Sequence, residues 1–407
     1  MDDRMQWGSP GGLPHGQERF FSLDALRGFA IMGIFFANMP AFLFPVLYND
    51  RKKFIENNFD RWVYGAIDVV AEASFYPLFA FLFGYGLVIM KERLEYNGRS
   101  FVKIALRRML VLLGIGMIHA FLIWSGDILI IYACFGFLLI PIIQTNVKAK
   151  TLAILALLMY TIPGIILIML YRFLLRSGIL TEADLYDPGL TEAALAVYQG
   201  GSFLEITRFR ILEWVDTNVN GLVLLLFMVF PFLLFGVSSA RAGMLIPDGK
   251  YRRFFRNLFI ITMPFGLFVK MLPYSFSETI TNELLQDLFG GPLLTCAYIS
   301  AGYLLANSPL IRKVMAPFQK VGRLSLSNYL SQSIIATSIC YSYGLGLYGK
   351  LSYTIGAMLV FFIFIFQLVV SNYWLQYFRM GPGEWLWRWG TYGKKPQLKI
   401  KKELLEP

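Results

Sequence analysis

The sequence predicts an all-α fold, a polytopic bundle of about ten transmembrane helices. Hydrophobic residues make up 57% of the 407 and charged residues only 15%. Apolar runs close to 20 residues long recur along the chain, the length needed to cross roughly 30 Å of hydrocarbon. Lys and Arg also gather on alternate connections: more than two-thirds of the 37 basic residues fall on the set that includes both ends of the chain. That bias places the N-terminus and C-terminus in the cytoplasm. The net charge of +11 follows from this bias and from attraction to anionic membrane lipids, and it calls for no nucleic acid partner.

Residues 1–20 are polar and carry Gly and Pro, as a flexible tail does. The expected spans then follow at 23–45, 66–90, 106–125, 127–144, 150–172, 219–240, 254–274, 287–307, 324–342 and 352–377. The first run carries Asp24 and Arg27 at its start and has no small-x-small site after it, so it is read as a retained helix and not a removable leader. Asp24 and Arg27 are three apart and neutralise each other on one face at the headgroups. No repeat of fixed period is visible, so residues 21–378 read as one membrane domain. Its long external connection, about 174–217, is richer in acid than in base. Thr-Glu-Ala starts at Thr181 and Thr191 are suited to N-caps of short helices, which predicts a structured cap. Residues 379–407 bring Trp385, Trp387 and Trp389 and then Lys394, Lys395, Lys399, Lys401 and Lys402, an interfacial anchor on the cytoplasmic side. Cys134, Cys296 and Cys340 lie inside apolar runs, where thiols are small core residues and not a disulfide framework.

Ionisable groups at membrane depth are the informative ones, since each costs roughly 3 kcal/mol there unless paired or wetted. Besides Asp24 and Arg27 they are Asp68, Glu72, His119 and Asp127. Asp68 and Glu72, four apart, would share one helix face and need a cation, a shared proton or water. His119 precedes the tight turn Ser125-Gly126, and Asp127 opens the next span. Such a short turn makes the two helices antiparallel neighbours and brings imidazole and carboxylate to one side, the arrangement of a general base near neutral pH. The plainer role for a lone membrane histidine is a hydrogen bond to a neighbouring helix. Ser325, Asn328 and Gln332 form a polar stripe above Arg323 that either lines a cavity or bonds adjacent helices. Arg107 and Arg108 either hold phosphates or obey the charge bias. No P-loop, dinucleotide fingerprint, Cys-x-x-Cys or His-Glu-x-x-His motif occurs, so nothing here supports a metal site.

Two C-terminal stretches, GRLSLSNYLSQS (Gly322 to Ser333) and GPGEWLWRWGTYGK (Gly381 to Lys394), resemble the signature of the YeiB-like bacterial membrane proteins, a family catalogued as a domain of unknown function. RRMLVLLGIGMIHAFLIWSGDIL, from Arg107 to Leu129, is similar to that family's third and fourth spans. The opening SLDALRGFAIMGIFFAN, from Ser22 to Asn38, resembles the first helix of the wider transmembrane acyltransferases, among them the lysosomal enzyme that acetylates heparan glucosamine and bacterial enzymes that O-acetylate sugars. The resemblance implies a multi-pass protein of the bacterial inner membrane. It would take an acyl group, acetyl first of all, from cytoplasmic acyl-CoA and give it to an external hydroxyl or amine of a small molecule, glycan or envelope component. Where the O-acetylating branch carries its proposed catalytic histidine, this chain has Asn38. Where the heparan branch has one, just before the second span, it has Asn57, Asn58 and Asp60.

With neither inherited base, the expectation is that His119, oriented by Asp127 or Asp68, deprotonates the acceptor or carries the acyl group itself. Asn38 would bond the oxyanion. Arg27, Arg107, Arg108 or Arg323 would hold the phosphates of acyl-CoA, and Asp24, Glu72, Asn328 and Gln332 would line the substrate cavity. The competing expectations are a proton-coupled transporter or lipid-handling protein using the same acids as a relay, or a non-catalytic binding member of the fold. A homo-oligomer is compatible with the sequence.

Overall fold

A computed structural model describes residues 16–400 apart from 247, 277, 278 and 307. Residues 1–15 of the expected tail, with His15, lie outside the described residues, as do Lys401 and Lys402. The described chain is all-α. Helix occupies most of each of the ten expected stretches, and six segments have the length and apolarity of a membrane crossing: Phe21–Leu43, Asn58–Tyr96, Ala149–Arg176, Leu222–Arg241, Ile280–Ala306 and Tyr353–Tyr377. The protein is a multi-pass membrane protein.

Helix α1 (Gly16–Leu43) starts seven residues before the expected span. The second expected span is interrupted: α2 (Asn58–Val70) stops, the chain turns through 71–74, and α3 (Phe75–Tyr96) restarts. Pro77 falls at the third position of the restarted helix, where its missing N–H needs no partner. Asp68 and Glu72 therefore do not share a helix face, since Glu72 lies in the turn. After α4 (Phe101–Leu122) and α5 (Leu129–Gln144), the long α6 (Ala149–Arg176) turns Ile165, Ile166, Met169 and Phe173 outward, an exposed apolar face of the kind a membrane-crossing helix presents to lipid.

The segment expected to form the cap is largely helical, with one N-cap differently placed. Thr181 starts a single turn of 3-10 helix, Glu182–Leu185, and bonds Asp184 reciprocally. Thr191 caps nothing: α7 (Pro188–Gly200) is capped by Asp187, with Pro at its first turn, and the Thr191 hydroxyl bonds backward to the carbonyls of Tyr48 and Asp187. A proline at the first turn leaves the preceding aspartate as the natural cap. α8 (Phe203–Asn220) opens on a Ser202/Glu205 capping box.

α9 (Leu222–Arg241) crosses α3 at backbone contact. A Cβ on Gly84 would stand 2.1 Å from the Leu233 carbonyl oxygen, and one on Gly236 2.1 Å from that of Phe81. Lipid tails are as apolar as leucine, so such close packing, not water exclusion, holds helices together here. α10 (Arg252–Lys270) and α11 (Leu272–Ser275) lead to α12 (Ile280–Leu285), a π-helical turn at Gln286–Gly290 and α13 (Gly291–Ala306). The amphipathic α14 (Pro309–Arg323) lies against α1, where Gly28 admits the Phe318 carbonyl. α15 (Ser325–Cys340), α16 (Tyr353–Tyr377) and α17 (Pro382–Tyr392) complete the described helices. The three cysteines are free thiols.

Candidate functional site

His119 lies in the last turn of α4, whose end at Leu122 is followed by the turn through Ser125 and Gly126. Asp127 stands just ahead of α5. Its Oδ1 accepts the Ile130 N–H at 2.9 Å, which fixes the carboxylate at the helix start. Oδ2 is left for His119 Nδ1 at 2.7 Å, with both side chains wholly buried. An Nδ1–H donated to the carboxylate makes Nε2 the lone-pair nitrogen, and Nε2 is buried with no hydrogen-bond partner among the described residues. The ring packs on Tyr329, centroids 5.0 Å apart, with Trp124 at 6.5 Å.

Two cavities flank this turn. One, about 110 Å³, is lined by Asn38, Glu72, Tyr76 and Tyr329 together with the 71–74 break. The other, about 170 Å³, lies under the cap and is lined by Ser125, Asp127, Glu213, Thr217 and Asn218. Gly126 and Ile128 line both, so the turn that carries Asp127 is the wall between them.

Glu213, on α8, escaped the sequence reading. Its Oε2 accepts the Ser125 hydroxyl at 2.9 Å and the Tyr198 hydroxyl. Burial pushes its carboxyl up to about 7, against the lowering effect of the Tyr198 and Ser125 bonds and of Arg210. Arg210, fully buried, gives one N–H to the Phe121 carbonyl at 3.3 Å and lies over the Tyr341 ring. A polar helix in an external connection reads as solvated. The one available signal was the i, i+3 pairing of Arg210 and Glu213 on an otherwise apolar stripe.

The other expected residues fall into separate groups. Asp68 accepts the Tyr274 hydroxyl at 2.7 Å and the Gln286 amide, so of the two carboxylates considered for His119 it is Asp127 that bonds it. Glu72 pairs with Arg51 at 2.9 Å, and the buried Lys270 ammonium bonds Asp287 at 3.2 Å and the Glu72 carbonyl at 3.1 Å. At the far end from the cap, Arg27 holds Asp24 at 2.9 Å, and Arg323 and Arg93 add positive charge around that carboxylate. Arg107 and Arg108 carry α17: Arg107 donates to the Gly390 carbonyl at 3.1 Å, and Arg108 lies 3.7 Å over the Trp387 ring. Asn328 and Gln332 bond Ser371 and Gln367 across the α15–α16 seam at 3.1 and 2.9 Å and line neither cavity.

The two C-terminal sequence stretches form one lock. Glu384 of α17 accepts the backbone N–H groups of Leu326 and Ser327 at 2.7 and 3.1 Å, together with the Ser327 hydroxyl, at the start of α15. A carboxylate on a helix N-terminus satisfies donors that would otherwise be orphaned.

A family model described as a protein of unknown function, DUF418, matches residues 239–394, the stretch that contains this lock. The uncharacterized protein YxaH of Bacillus subtilis is 35% identical over 393 residues, 92% of this chain and 94% of that protein. An uncharacterized 39.9 kDa protein of Bacillus acidopullulyticus is 28% identical, covering 95% and 97%. The uncharacterized protein YeiB of Escherichia coli is 27% identical, covering 91% and 96%. No solved structure matches. With near full-length similarity to YxaH and YeiB, the chain belongs to the YeiB-like DUF418 family.

Proposed function

We propose that this protein is a membrane acyltransferase of the bacterial cytoplasmic membrane. It moves a short acyl group from cytoplasmic acyl-CoA to a hydroxyl or amine of a small molecule or glycan on the other side. The observation that carries the reading is the buried His119–Asp127 pair, whose Nε2 has no partner among the described residues; Asp127 lines the 170 Å³ cavity, and His119 lies behind it, lining neither cavity. Asp127 fixes the tautomer and stabilises the imidazolium, and His119 takes the acceptor's proton. The cap-side cavity, with Asp127 and Glu213 in its lining, suits a hydroxylated or cationic acceptor. For the donor's phosphates the fit is partial. Arg107 and Arg108 are committed to α17, which leaves the Arg27, Arg93 and Arg323 surroundings of Asp24 as the cationic entrance.

The test is thermal unfolding of the solubilised protein with acetyl-CoA. Saturation about 100-fold above Kd adds roughly 2.7 kcal/mol, and no stabilisation by any acyl-CoA would refute the reading. His119→Ala should still bind donor and lose transfer.

One observation favours proton-coupled transport as a second reading. The breaks at 71–74 and at the π-helical turn are joined by buried Lys270, and irregular backbone at membrane depth commonly lines a transport path. Proton-linked flux in proteoliposomes without CoA would select it.

A further inference from the structure

We propose that the acceptor is a membrane-resident amphiphile, its hydroxyl- or amine-bearing headgroup held in the 170 Å³ cavity and its hydrocarbon chain lying along the start of α9 in the lipid. As an acceptor it rests on the acyl-transfer reading, whereas the binding site stands on its own geometry.

α8 is amphipathic in the reverse of the sense expected for a helix in water. Its buried face carries Ile206, Arg210 and Glu213. On the opposite side Leu204, Ile211, Val215 and Val219, spaced by whole turns, form an exposed apolar stripe, with Leu212 beside it. A helix covering a site from the water side turns its charges outward and its aliphatic residues in. Arg208 interrupts the stripe, and its long stem carries the charge toward headgroup level. The stripe continues past Gly221 into Leu222, Val223 and Leu224, exposed residues that begin α9, one of the six segments of membrane-crossing length. What covers the outer face of α8 is therefore the lipid that α9 enters, as on an interfacial helix.

The cavity lies in the corner between these two helices. Glu213, Thr217 and Asn218 of α8 form a polar wall with Asp127, while Leu225 and Val229 of α9 supply an aliphatic one. Asp127, Glu213 and Val229 are buried and make the floor. Leu47, half exposed, and Thr217, exposed in the last turn of α8, make the mouth, beside the apolar start of α9. Ser125 and Tyr198 donate to Glu213 Oε2, which holds that carboxylate in place. Among the described residues no Lys or Arg lines the cavity and two carboxylates do, so an anionic headgroup meets only like charge. A water-soluble sugar would leave the aliphatic wall unmatched. One polar and one apolar wall, opening at a lipid-facing helix, fit the junction between a head and its chain.

The test uses the full chain in phosphatidylcholine nanodiscs with sphinganine carrying a diazirine in its chain, a hydroxylated amine on a single hydrocarbon tail. After illumination, peptide mapping should find label within residues 211–229, and excess unlabelled sphinganine should remove it. Ethanolamine, a headgroup without a chain, and palmitate, a chain with an anionic head, should not. Thr217→Trp and Leu47→Trp each fill the mouth from an exposed position. They should reduce the competable label to the level on α6, whose exposed face takes up probe from the bilayer without a site. A melting temperature equal to that of the wild type shows that the variants fold; should both misfold, the competition in the wild type still decides. Label that nothing removes, label that ethanolamine or palmitate removes as well as sphinganine does, or label unchanged in both folded variants would overturn the site. Acetyl-CoA stabilisation of the same protein keeps the two readings apart. Stabilisation without competable label leaves acyl transfer standing and refutes the amphiphile; competable label without stabilisation keeps the site and refutes its role as an acceptor site.

Discussion

Ionising Glu213 should loosen the cap. Its carboxyl goes from 4.5 in the open chain to about 7 when buried under α8. The folded state therefore holds the proton more tightly than the unfolded one, and stability contributed below about 4.5 is lost as pH rises to about 7. About 2.5 units at 1.36 kcal/mol each gives on the order of 3 kcal/mol, or roughly a 10²-fold rise in opening. The assay is hydrogen exchange of the α8 amides at pH 5 and pH 8, each compared with Glu213→Gln at the same pH, which cancels intrinsic exchange. The glutamine oxygen still accepts from Ser125 and Tyr198 and never ionises. Wild type and variant should match at pH 5, and the wild type should exchange much faster at pH 8. A local readout is needed because burial also pushes up Glu384, which contributes to any global melting curve with the same sign. Equal protection at both pH values would refute the argument that Glu213 is a desolvated carboxyl rather than a watered one.

Three further outcomes follow from the packing. Glu384→Ala should destabilise the fold by about 3 kcal/mol by orphaning two backbone donors and a hydroxyl at the α15 start, measured as lost thermal stability with faster exchange at residues 325–328. Trp387→Ala removes the ring under Arg108 and the indole bond to its carbonyl at 3.1 Å, and should expose the segment after Phe378 to protease while leaving acyl-CoA stabilisation intact. Gly84→Ala or Gly236→Ala puts a methyl about 2.1 Å from a carbonyl oxygen across the α3–α9 crossing. Each should cost 2 kcal/mol or more through overpacking, and an unchanged melting temperature would refute the close crossing.

The fold was legible because the bilayer imposes its length on every crossing, so composition and run length alone placed helix in all ten stretches. The His119–Asp127 pair was legible for a similarly local reason, since a turn as short as Ser125-Gly126 leaves two antiparallel helices no freedom to separate the residues beside it. Long-range partners were not legible in that way. Asp68 finds Tyr274 and Gln286 more than 200 positions away, and hydropathy says nothing about which span lies beside which. Arg107 and Arg108 fit the expected charge bias of the sequence and hold α17. Two causes produce one pattern, so a basic pair at a helix start does not by itself separate a phosphate site from a docking site.

The break in the second span shows where long-range partners override the hydropathy pattern. An apolar window over 66–90 averages away the turn at 71–74, yet there the helix stops and restarts at Phe75 and Glu72 sits beside Arg51. Proline at the third position of a helix is unremarkable once the helix start is known. Proline alone is no signal of a restart, since Pro40, Pro141, Pro163, Pro231, Pro264 and Pro317 lie inside unbroken helices. Here Lys270, Thr295 and Tyr298 take up the carbonyls of Glu72, Ser74 and Val70. Each of the three comes from α10 or α13 and none from the span itself. The break is therefore a property of the assembled bundle, and replacing Pro77 alone should leave it in place as long as those donors remain.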